Sequence, residues 1–163
     1  MIVGTGDLSS VIKDRKGLLF FASGVSNSGE TRESEYRREI DLLLRQDLDQ
    51  HLVYFSSLCV YYSNSRYAQH KRYMEELVKG FKTHTIFRIG NIDWGTNPHT
   101  LINHLRDRRK RGEELVIEDV YRYVISKEEF DYWISLIPDW SCEMNIPGRR
   151  LKVADIVREY VDA

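Results

Sequence analysis

The stretch from Leu52 to Lys71 reads LVYFSSLCVYYSNSRYAQHK and decides the fold. Its first four residues form a continuous apolar run, which favours a buried strand. From residue 66 to residue 79 the apolar positions have the spacing of a helix. A strand that leads through a short link into a helix predicts one strand–helix unit of a parallel sheet.

The same alternation continues on both sides of this unit. Apolar runs predict further strands at residues 1–3, 18–22, 85–89, 115–117 and 121–124. Helical spacing and capping signals predict further helices at residues 8–12, 30–45, 97–105, 126–137 and 151–161. This order favours an α/β, Rossmann-like fold with a shortened, mainly parallel sheet and helices on both faces. The length of 163 residues predicts a single domain over residues 1–163.

Composition narrows the classes of partner. The chain has 24 Lys and Arg against 25 Asp and Glu, so its net charge of −1 gives no general attraction to nucleic acid or an anionic membrane. Two cysteines and five histidines are scattered without metal-ligand spacing, so we expect no metal site. No segment has the apolar length that spans a bilayer, and no export signal is recognisable. We therefore expect a reduced, cytoplasmic protein.

Three side chains of the central unit could carry chemistry. Tyr67 and Lys71 lie four residues apart on one helix face, so the ammonium could lower the pKa of the phenol. Ser57, at the end of the preceding strand, could hydrogen-bond a substrate oxygen while the tyrosine transfers a proton. Hydride transfer at a carbonyl or alcohol requires this chemistry, although a lone tyrosine–lysine pair is more often structural. His70 is expected to face away from both.

A glycine turn, Gly4-Thr5-Gly6, follows the first strand. Such a turn permits close approach of the backbone, and a helix beginning at Leu8 would direct its free N–H groups at a pyrophosphate. Ser9 occupies the usual position of a third glycine. Without that glycine, the turn is also consistent with a plain connector.

Taken in chain order, these motifs resemble the extended short-chain dehydrogenase/reductases, the family of nucleotide-sugar epimerases and dehydratases. The segments that carry the resemblance are the glycine turn, FFASGVS (20–26), YFSSLCVY (54–61), YAQHK (67–71) and FRIGN (87–91). The late segments 121–137 and 143–160, the latter opening with EMNIPG, are also similar to the family pattern. The resemblance covers nearly the whole chain.

The resemblance implies a site and a cofactor. Tyr67 would be the catalytic acid/base, Lys71 its partner and a ribose contact, Ser57 the group that orients substrate, and Asn91 a substrate neighbour. The implied contacts to NAD or NADP are Gly4, Gly6, Asp7, Leu8, Ala22, Ser23 and Lys71. The family also pairs subunits through two helices, which implies a homodimer formed by helices 30–45 and 66–79.

One departure leaves two functions open. Only about a dozen residues separate the glycine turn from the run at Leu18, whereas a dinucleotide fold places an acidic ribose ligand about 20 residues on, upon a second strand. Asp14 comes too early for that role, so the second and third strands and the adenosine wall are predicted to be missing. The chain is then either an NAD(P)-dependent oxidoreductase or epimerase acting on a nucleotide sugar or related carbonyl or alcohol, or a non-catalytic, degenerate Rossmann-fold binding or assembly module.

A third function, nucleic-acid binding, has weaker support. The segment from Arg106 to Arg111 contains five basic residues. Glu113 and Glu114 follow at once, and no aromatic residues interleave to stack on bases. The segment is therefore expected to be a solvated helix end.

Overall fold

The computed structural model describes residues 1–163 as two sheets with surrounding helices. The strands are β1 Ile2–Val3, β2 Leu18–Phe21, β3 His51–Ser57, β4 Thr83–Ile89, β5 Asn91–Ile92, β6 Tyr121–Ile125, β7 Cys142–Ile146 and β8 Arg149–Lys152. The helices are α1 Glu33–Leu44, α2 Arg66–Val78, α3 Leu101–Lys110, α4 Lys127–Ser135 and α5 Val153–Ile156. A 3-10 turn covers Leu58–Tyr61, and a π-helical turn, Val157–Val161, continues α5.

The main sheet has five parallel strands in the order β1-β2-β3-β4-β7. A smaller sheet has the order β5-β6-β8, with β5 parallel and β8 antiparallel to β6. The prediction of an α/β, Rossmann-like, mainly parallel sheet is confirmed. In the ordinary dinucleotide fold the first strand lies inside the sheet, with the second and third strands beyond it. Here β1 is an edge strand whose one neighbour is β2, as expected if those two strands are missing.

Both faces of the main sheet are covered. Because successive side chains of a strand point to opposite faces, each central strand supplies two layers. The layer under α1 and α2 consists of Leu19, Phe21, Leu52, Tyr54 and Ile86, packed on Leu43, Met74 and Val78. The opposite layer consists of Phe20, Val53, Phe55 and Phe87, packed on Ile12 and on Phe130 of α4. Full burial of each such side chain stabilises the fold by about 1.5–3 kcal/mol.

None of the helices is long and apolar enough to cross a membrane.

Two predicted elements are wrong. Residues 8–12, expected to form a helix, lie mostly in a segment of turns over residues 7–11, in which the N–H of Ser10 donates to Gly6 O (3.1 Å) and that of Val11 donates to Leu8 O (3.2 Å). So short a segment does not repay the cost of helix nucleation. Residues 115–117, expected to be a strand, are irregular, and Val116 is 75% exposed. No neighbouring sheet edge pairs with them, so their apolar character alone does not produce a strand.

Two predicted helices begin later than expected. The helix assigned to begin at Asn97 starts at Leu101 with Thr100 as its N-cap, and Asn97 lies in the preceding turn. The last helix starts at Val153, because Leu151 pairs with Arg122 in the antiparallel ladder between β8 and β6. By contrast, the capping signal at Ser126 is confirmed, since its hydroxyl accepts a hydrogen bond from the backbone N–H of Glu129 at the start of α4.

Candidate functional site

A cleft of about 1020 Å³ lies at the carboxyl ends of β1 to β4. Its walls come from the turn after β1, the loop 22–29 after β2, the end of β3, and the residues that follow β4. Ligands of open parallel sheets bind at this end, because strands and helix N-termini converge there and leave a crevice. The cleft is therefore the candidate site.

The structure brings nearly all the predicted site residues to this cleft. The residues from the predictions that line it are Gly6, Asp7, Leu8, Ala22, Ser23, Ser57, Tyr67, Lys71 and Asn91. Gly4 does not line it. A Cβ on Gly4 would lie 2.3 Å from the carbonyl oxygen of Ala22, so the close backbone approach at Gly4 is to the end of β2. Gly6 is open, because a Cβ there would meet no atom within 4 Å.

A buried cluster that the sequence analysis did not identify lies beneath the cleft. Glu39 of α1 is fully buried, and its Oε1 accepts hydrogen bonds from the Tyr54 hydroxyl (2.7 Å) and the Lys71 ammonium (3.3 Å). Its Oε2 accepts from the Val25 backbone N–H (2.9 Å) and bonds His70 Nε2 (2.8 Å). The prediction that His70 faces away from Lys71 is wrong, since both reach one carboxylate.

Glu39 left a signal in the sequence. It lies three residues after Tyr36 and four before Leu43, both of which are buried on the inner face of α1. An acidic residue on the apolar face of a helix is rarely buried without a partner. That position could have been recognised, but the partner could not, because Lys71 is 32 residues away.

The ammonium group of Lys71 makes all its hydrogen bonds to other groups of the protein. An ammonium has three donors, and those of Lys71 face Glu39 Oε1, the Tyr54 hydroxyl (3.0 Å) and the carbonyl of Phe55 (3.5 Å). Its side chain is 3% exposed, and Nζ lies 5.6 Å from the ring centroid of Tyr67. Its charge thus acts on Tyr67 across the ring, without a direct hydrogen bond.

The protonation states follow from this arrangement. Burial disfavours the charged form of Glu39, but Lys71, His70 and the Val25 N–H outweigh it and lower the pKa of Glu39 to about 2. Burial also works against the charged form of Lys71, but Glu39 raises its pKa above the ordinary value. For Tyr67 the largest influence is burial, which raises the pKa, and Lys71 offsets only part of it. Lys71 therefore acts on the Tyr67 pKa in the predicted direction, but burial outweighs it and the pKa is raised overall.

Ser57 and Asn91 each keep hydrogen-bonding capacity in the cleft. The Ser57 hydroxyl accepts a hydrogen bond from the Cys59 N–H (3.2 Å), which caps the 3-10 turn and leaves the hydroxyl hydrogen for a ligand. Asn91 donates its side-chain amide to the Tyr123 carbonyl (2.9 Å), which leaves its own carbonyl oxygen as an acceptor. Both groups are thus fixed in place by the protein and able to bind a polar ligand.

Asp7 has a structural task in this protein. Its carboxylate accepts hydrogen bonds from the backbone N–H groups of Thr96 (3.0 Å) and Asn97 (2.9 Å). Gly95, at φ +92°, lies so close that a Cβ would meet the Asp7 side chain at 2.2 Å. Asp7 therefore joins the glycine turn to the turn before α3, and a cofactor contact at this position falls to its backbone.

The charged side chains that line the cleft are mainly basic. Its charged and titratable basic residues are Arg38, Lys71, His99, His104 and Arg122, and Asp7 is the one acidic residue. Arg38 donates to the Ser23 carbonyl and hydroxyl (both 3.1 Å) and is 42% exposed in its side chain. Guanidinium groups at such a rim favour phosphate or carboxylate ligands.

Two other kinds of site find no support. The chain contains no group of three or more His, Cys, Asp or Glu residues that could hold a metal ion. In the basic segment, Arg108 and Arg111 pair with Glu113, Arg109 pairs with Asp162, and Arg106 donates to a backbone carbonyl. Charges that are matched within the chain offer little to nucleic-acid phosphates.

No protein-family model and no curated protein matches this sequence. Solved structures do match its fold. WbmG of Bordetella bronchiseptica, in complex with NAD and UDP, is 13% identical with a TM-score of 0.67, over 90% of this chain and 57% of that one. A UDP-galactose 4-epimerase is 16% identical with a TM-score of 0.66, over 88% and 61%. The UDP-glucose 4-epimerase of Thermus thermophilus, in complex with NAD, is 12% identical with a TM-score of 0.61, over 90% and 61%.

Two of these neighbours are 4-epimerases of UDP sugars, and the third is an enzyme bound to NAD and UDP. At 12–16% identity the likeness establishes the Rossmann-like fold alone. The chain spans 57–61% of the length of these three neighbours. Their activities and ligands are therefore not transferred to this chain by the comparison.

Proposed function

We propose that this protein is an NAD(P)-dependent oxidoreductase or epimerase that acts on a nucleotide sugar or a related carbonyl or alcohol. The observation that supports it best is the presence of Ser57, Tyr67 and Lys71 in one cleft at the carboxyl end of a parallel sheet. Hydride transfer at a carbonyl needs a proton donor beside the reacting oxygen, and the hydroxyl groups of Ser57 and Tyr67 could supply one. The NAD and UDP present in the WbmG complex are consistent with ligands of this class.

Each side chain has a role that its surroundings suit. A bound nicotinamide nucleotide would supply or accept the hydride. Ser57 would donate its hydroxyl hydrogen to the substrate oxygen and hold it beside Tyr67. The raised pKa of Tyr67 keeps its phenol protonated at neutral pH, so in the reducing direction Tyr67 would pass that proton to the oxygen. Lys71 would then stabilise the phenolate by its charge.

The cleft fits one half of a dinucleotide better than the other. Gly6 leaves open space at the end of β1. Arg38 and Arg122 line the cleft and pair with Glu35 (3.3 Å) and Glu118 (3.4 Å), respectively. A phosphorylated ligand would therefore compete with these carboxylates for the two guanidinium groups. The adenosine side has no second strand, because β1 is the edge of the sheet. We infer that a dinucleotide would be held mainly through its pyrophosphate and nicotinamide side, with low affinity.

The second candidate is a non-catalytic binding or assembly module that retains the Rossmann-like scaffold. Two observations favour it: the missing adenosine wall beside β1, and the commitment of all three Lys71 donors to protein groups. A ribose hydroxyl could bond Lys71 only by displacing one of them.

Calorimetric titration with NAD, NADH, NADP, NADPH and UDP at low millimolar concentration separates the two candidates. For the enzyme, we expect saturable binding of a nicotinamide nucleotide that weakens in Gly6→Val, whose added side chain would fill the open space at the turn. Tyr67→Phe should then abolish turnover of a substrate found by screening. Tyr73→Phe, on the exposed side of the same helix, is the matched control. Absence of nicotinamide binding, or full activity in Tyr67→Phe, would refute the enzymatic proposal.

A further inference from the structure

Glu39 connects the two helices on one face of the sheet with the loop that borders the cleft. Its carboxylate receives hydrogen bonds from Tyr54 of β3, from His70 and Lys71 of α2, and from the backbone of Val25. Glu39, Tyr54, His70 and Lys71 are each at most 3% exposed. Both carboxylate oxygens are therefore saturated by groups from three different parts of the fold.

The loop passes directly over this ion pair. A Cβ on Gly24 would lie 2.8 Å from Lys71 Nζ and 3.3 Å from Glu39 Oε1, so the backbone of Gly24 rests on both charges. Gly24 also lines the cleft. The wall of the cleft thus lies in van der Waals contact with the ion pair. A ligand that displaces residues 23–25 would therefore also displace Lys71.

A buried ion pair is a poor source of stability in itself. Removing two charges from water costs several kcal/mol per ion, and apolar replacements of similar shape are often as stable. Stability alone therefore does not explain why this protein buries an ion pair at this position. In this protein the pair lies beside the cleft that holds Tyr67, and Lys71 Nζ is 5.6 Å from the ring centroid of that phenol.

We propose that Glu39 is a positioning residue. It holds Lys71 as an ammonium ion at the floor of the cleft, and its negative charge partly offsets the effect of the Lys71 charge on Tyr67. The inference rests on the proposed function, because it assigns a tuning role within the same site. Glu39 does not line the cleft, so it acts through Lys71 and the 23–25 loop.

The direction of the effect follows from the charges that surround Lys71. Glu39→Gln removes the negative charge but keeps the size of the side chain. Lys71 then loses the group that favours its charged form, and its charge acts on Tyr67 uncompensated, so both groups should deprotonate at lower pH. The titratable groups around the pair of Glu39 and Lys71 are Tyr36 of α1, Tyr54 of β3, Cys59 of the 3-10 turn, and Tyr67, His70 and Glu75 of α2.

The first test is nitrogen-15 NMR of the lysine ammonium groups, with the Lys71 resonance identified by its loss in Lys71→Arg. In the wild type we expect a slowly exchanging ammonium signal that persists above the pH at which exposed lysines titrate. In Glu39→Gln its midpoint should fall by about 1–3 pH units. Tyr54→Phe is the matched control, because it removes one hydrogen bond from the Lys71 ammonium and one from the Glu39 carboxylate without changing the charge of either group.

The possible outcomes distinguish a failure of the proposed role of Glu39 from a failure of the proposed enzymatic function. A wild-type Lys71 signal that exchanges like an exposed lysine, or equal midpoints in the wild type and Glu39→Gln, overturns the proposal; the wild-type result alone decides if Glu39→Gln does not fold. If the midpoint shifts and the wild type binds no nicotinamide nucleotide, the proposed function fails and Glu39 is only structural. If nucleotide binds, the basic limb of the activity profile should move to lower pH in Glu39→Gln but not in Tyr54→Phe, and an unmoved limb excludes the tuning role.

Discussion

The two glycines of the first turn should respond oppositely to substitution by alanine. Gly4 has a φ of +128°, and a Cβ on it would lie 2.3 Å from the Ala22 carbonyl oxygen and 2.5 Å from the Ala22 carbonyl carbon. Both neighbours are backbone atoms of the residue that directly follows β2, so neither can move aside like a side chain. Gly6 has no positive φ and no atom within 4 Å of its Cβ position.

The magnitudes follow from this geometry. A non-glycine residue in a sparsely populated backbone region costs about 1–3 kcal/mol, and overpacking adds about 1–3 kcal/mol. Gly4→Ala should therefore lower the free energy of unfolding by about 2–6 kcal/mol. Gly6→Ala should leave it unchanged or raise it by about 0.4–1 kcal/mol, because alanine restricts the unfolded chain.

Urea denaturation followed by circular dichroism measures both effects. With a slope of about 2 kcal/mol per molar urea, Gly4→Ala should lower the midpoint by about 1–3 M, while Gly6→Ala should not lower it. Nucleotide titration of the folded Gly6→Ala variant then reports whether the turn approaches a pyrophosphate. A Gly4→Ala midpoint equal to that of the wild type would refute the described contact between the end of β1 and the end of β2.

Three further predictions concern the charge cluster, a helix cap and assembly. Because the pKa of Glu39 is lowered from 4.5 to about 2, its stabilisation is complete above pH 4.5 and is lost as the pH falls towards 2; the urea midpoint should decline over that window, and less so in Glu39→Gln. Ser126→Ala should lower the free energy of unfolding by about 1 kcal/mol through loss of the N-cap, whereas an unchanged urea midpoint would show the cap to be dispensable. The proposed homodimer would bury the exposed Leu44 and Tyr73 of α1 and α2, so analytical ultracentrifugation at micromolar concentration should give a dimer that Tyr73→Glu dissociates, and a monomeric wild type would contradict it.

The order of strands and helices in the main sheet could be predicted because it depends on local periodicity. Buried parallel strands such as β3 are apolar along their whole length, and the helices that cover them carry one apolar stripe. The meeting of Ser57 with Tyr67 and Lys71 in one cleft follows from the same pattern, since a strand end and the next helix are joined by a short link. The missing strands could be inferred too, because only a short segment separates Gly6 from Leu18.

Elements whose stability comes from distant partners could not be predicted in this way. Residues 149–152 form β8 because β6 offers an antiparallel edge, although their sequence continues into a helical pattern. Residues 115–117 have strand-like character but meet no such edge. Whether a short segment is a strand, a turn or the start of a helix was decided by the backbone available to pair with it.

The sequence by itself determined the parallel α/β scaffold and the residues at the carboxyl end of its strands, because hydrophobic period and chain order specify both. Only the tertiary structure decided the electrostatics of the site. Glu39 and Lys71 are 32 residues apart, and their meeting depends on how α1 and α2 pack on the sheet. The ion pair with Glu39 determines how strongly the charge of Lys71 acts on Tyr67. The strength of an ion pair depends on distance and burial and not on spacing along the chain, so this effect could not be predicted from the sequence.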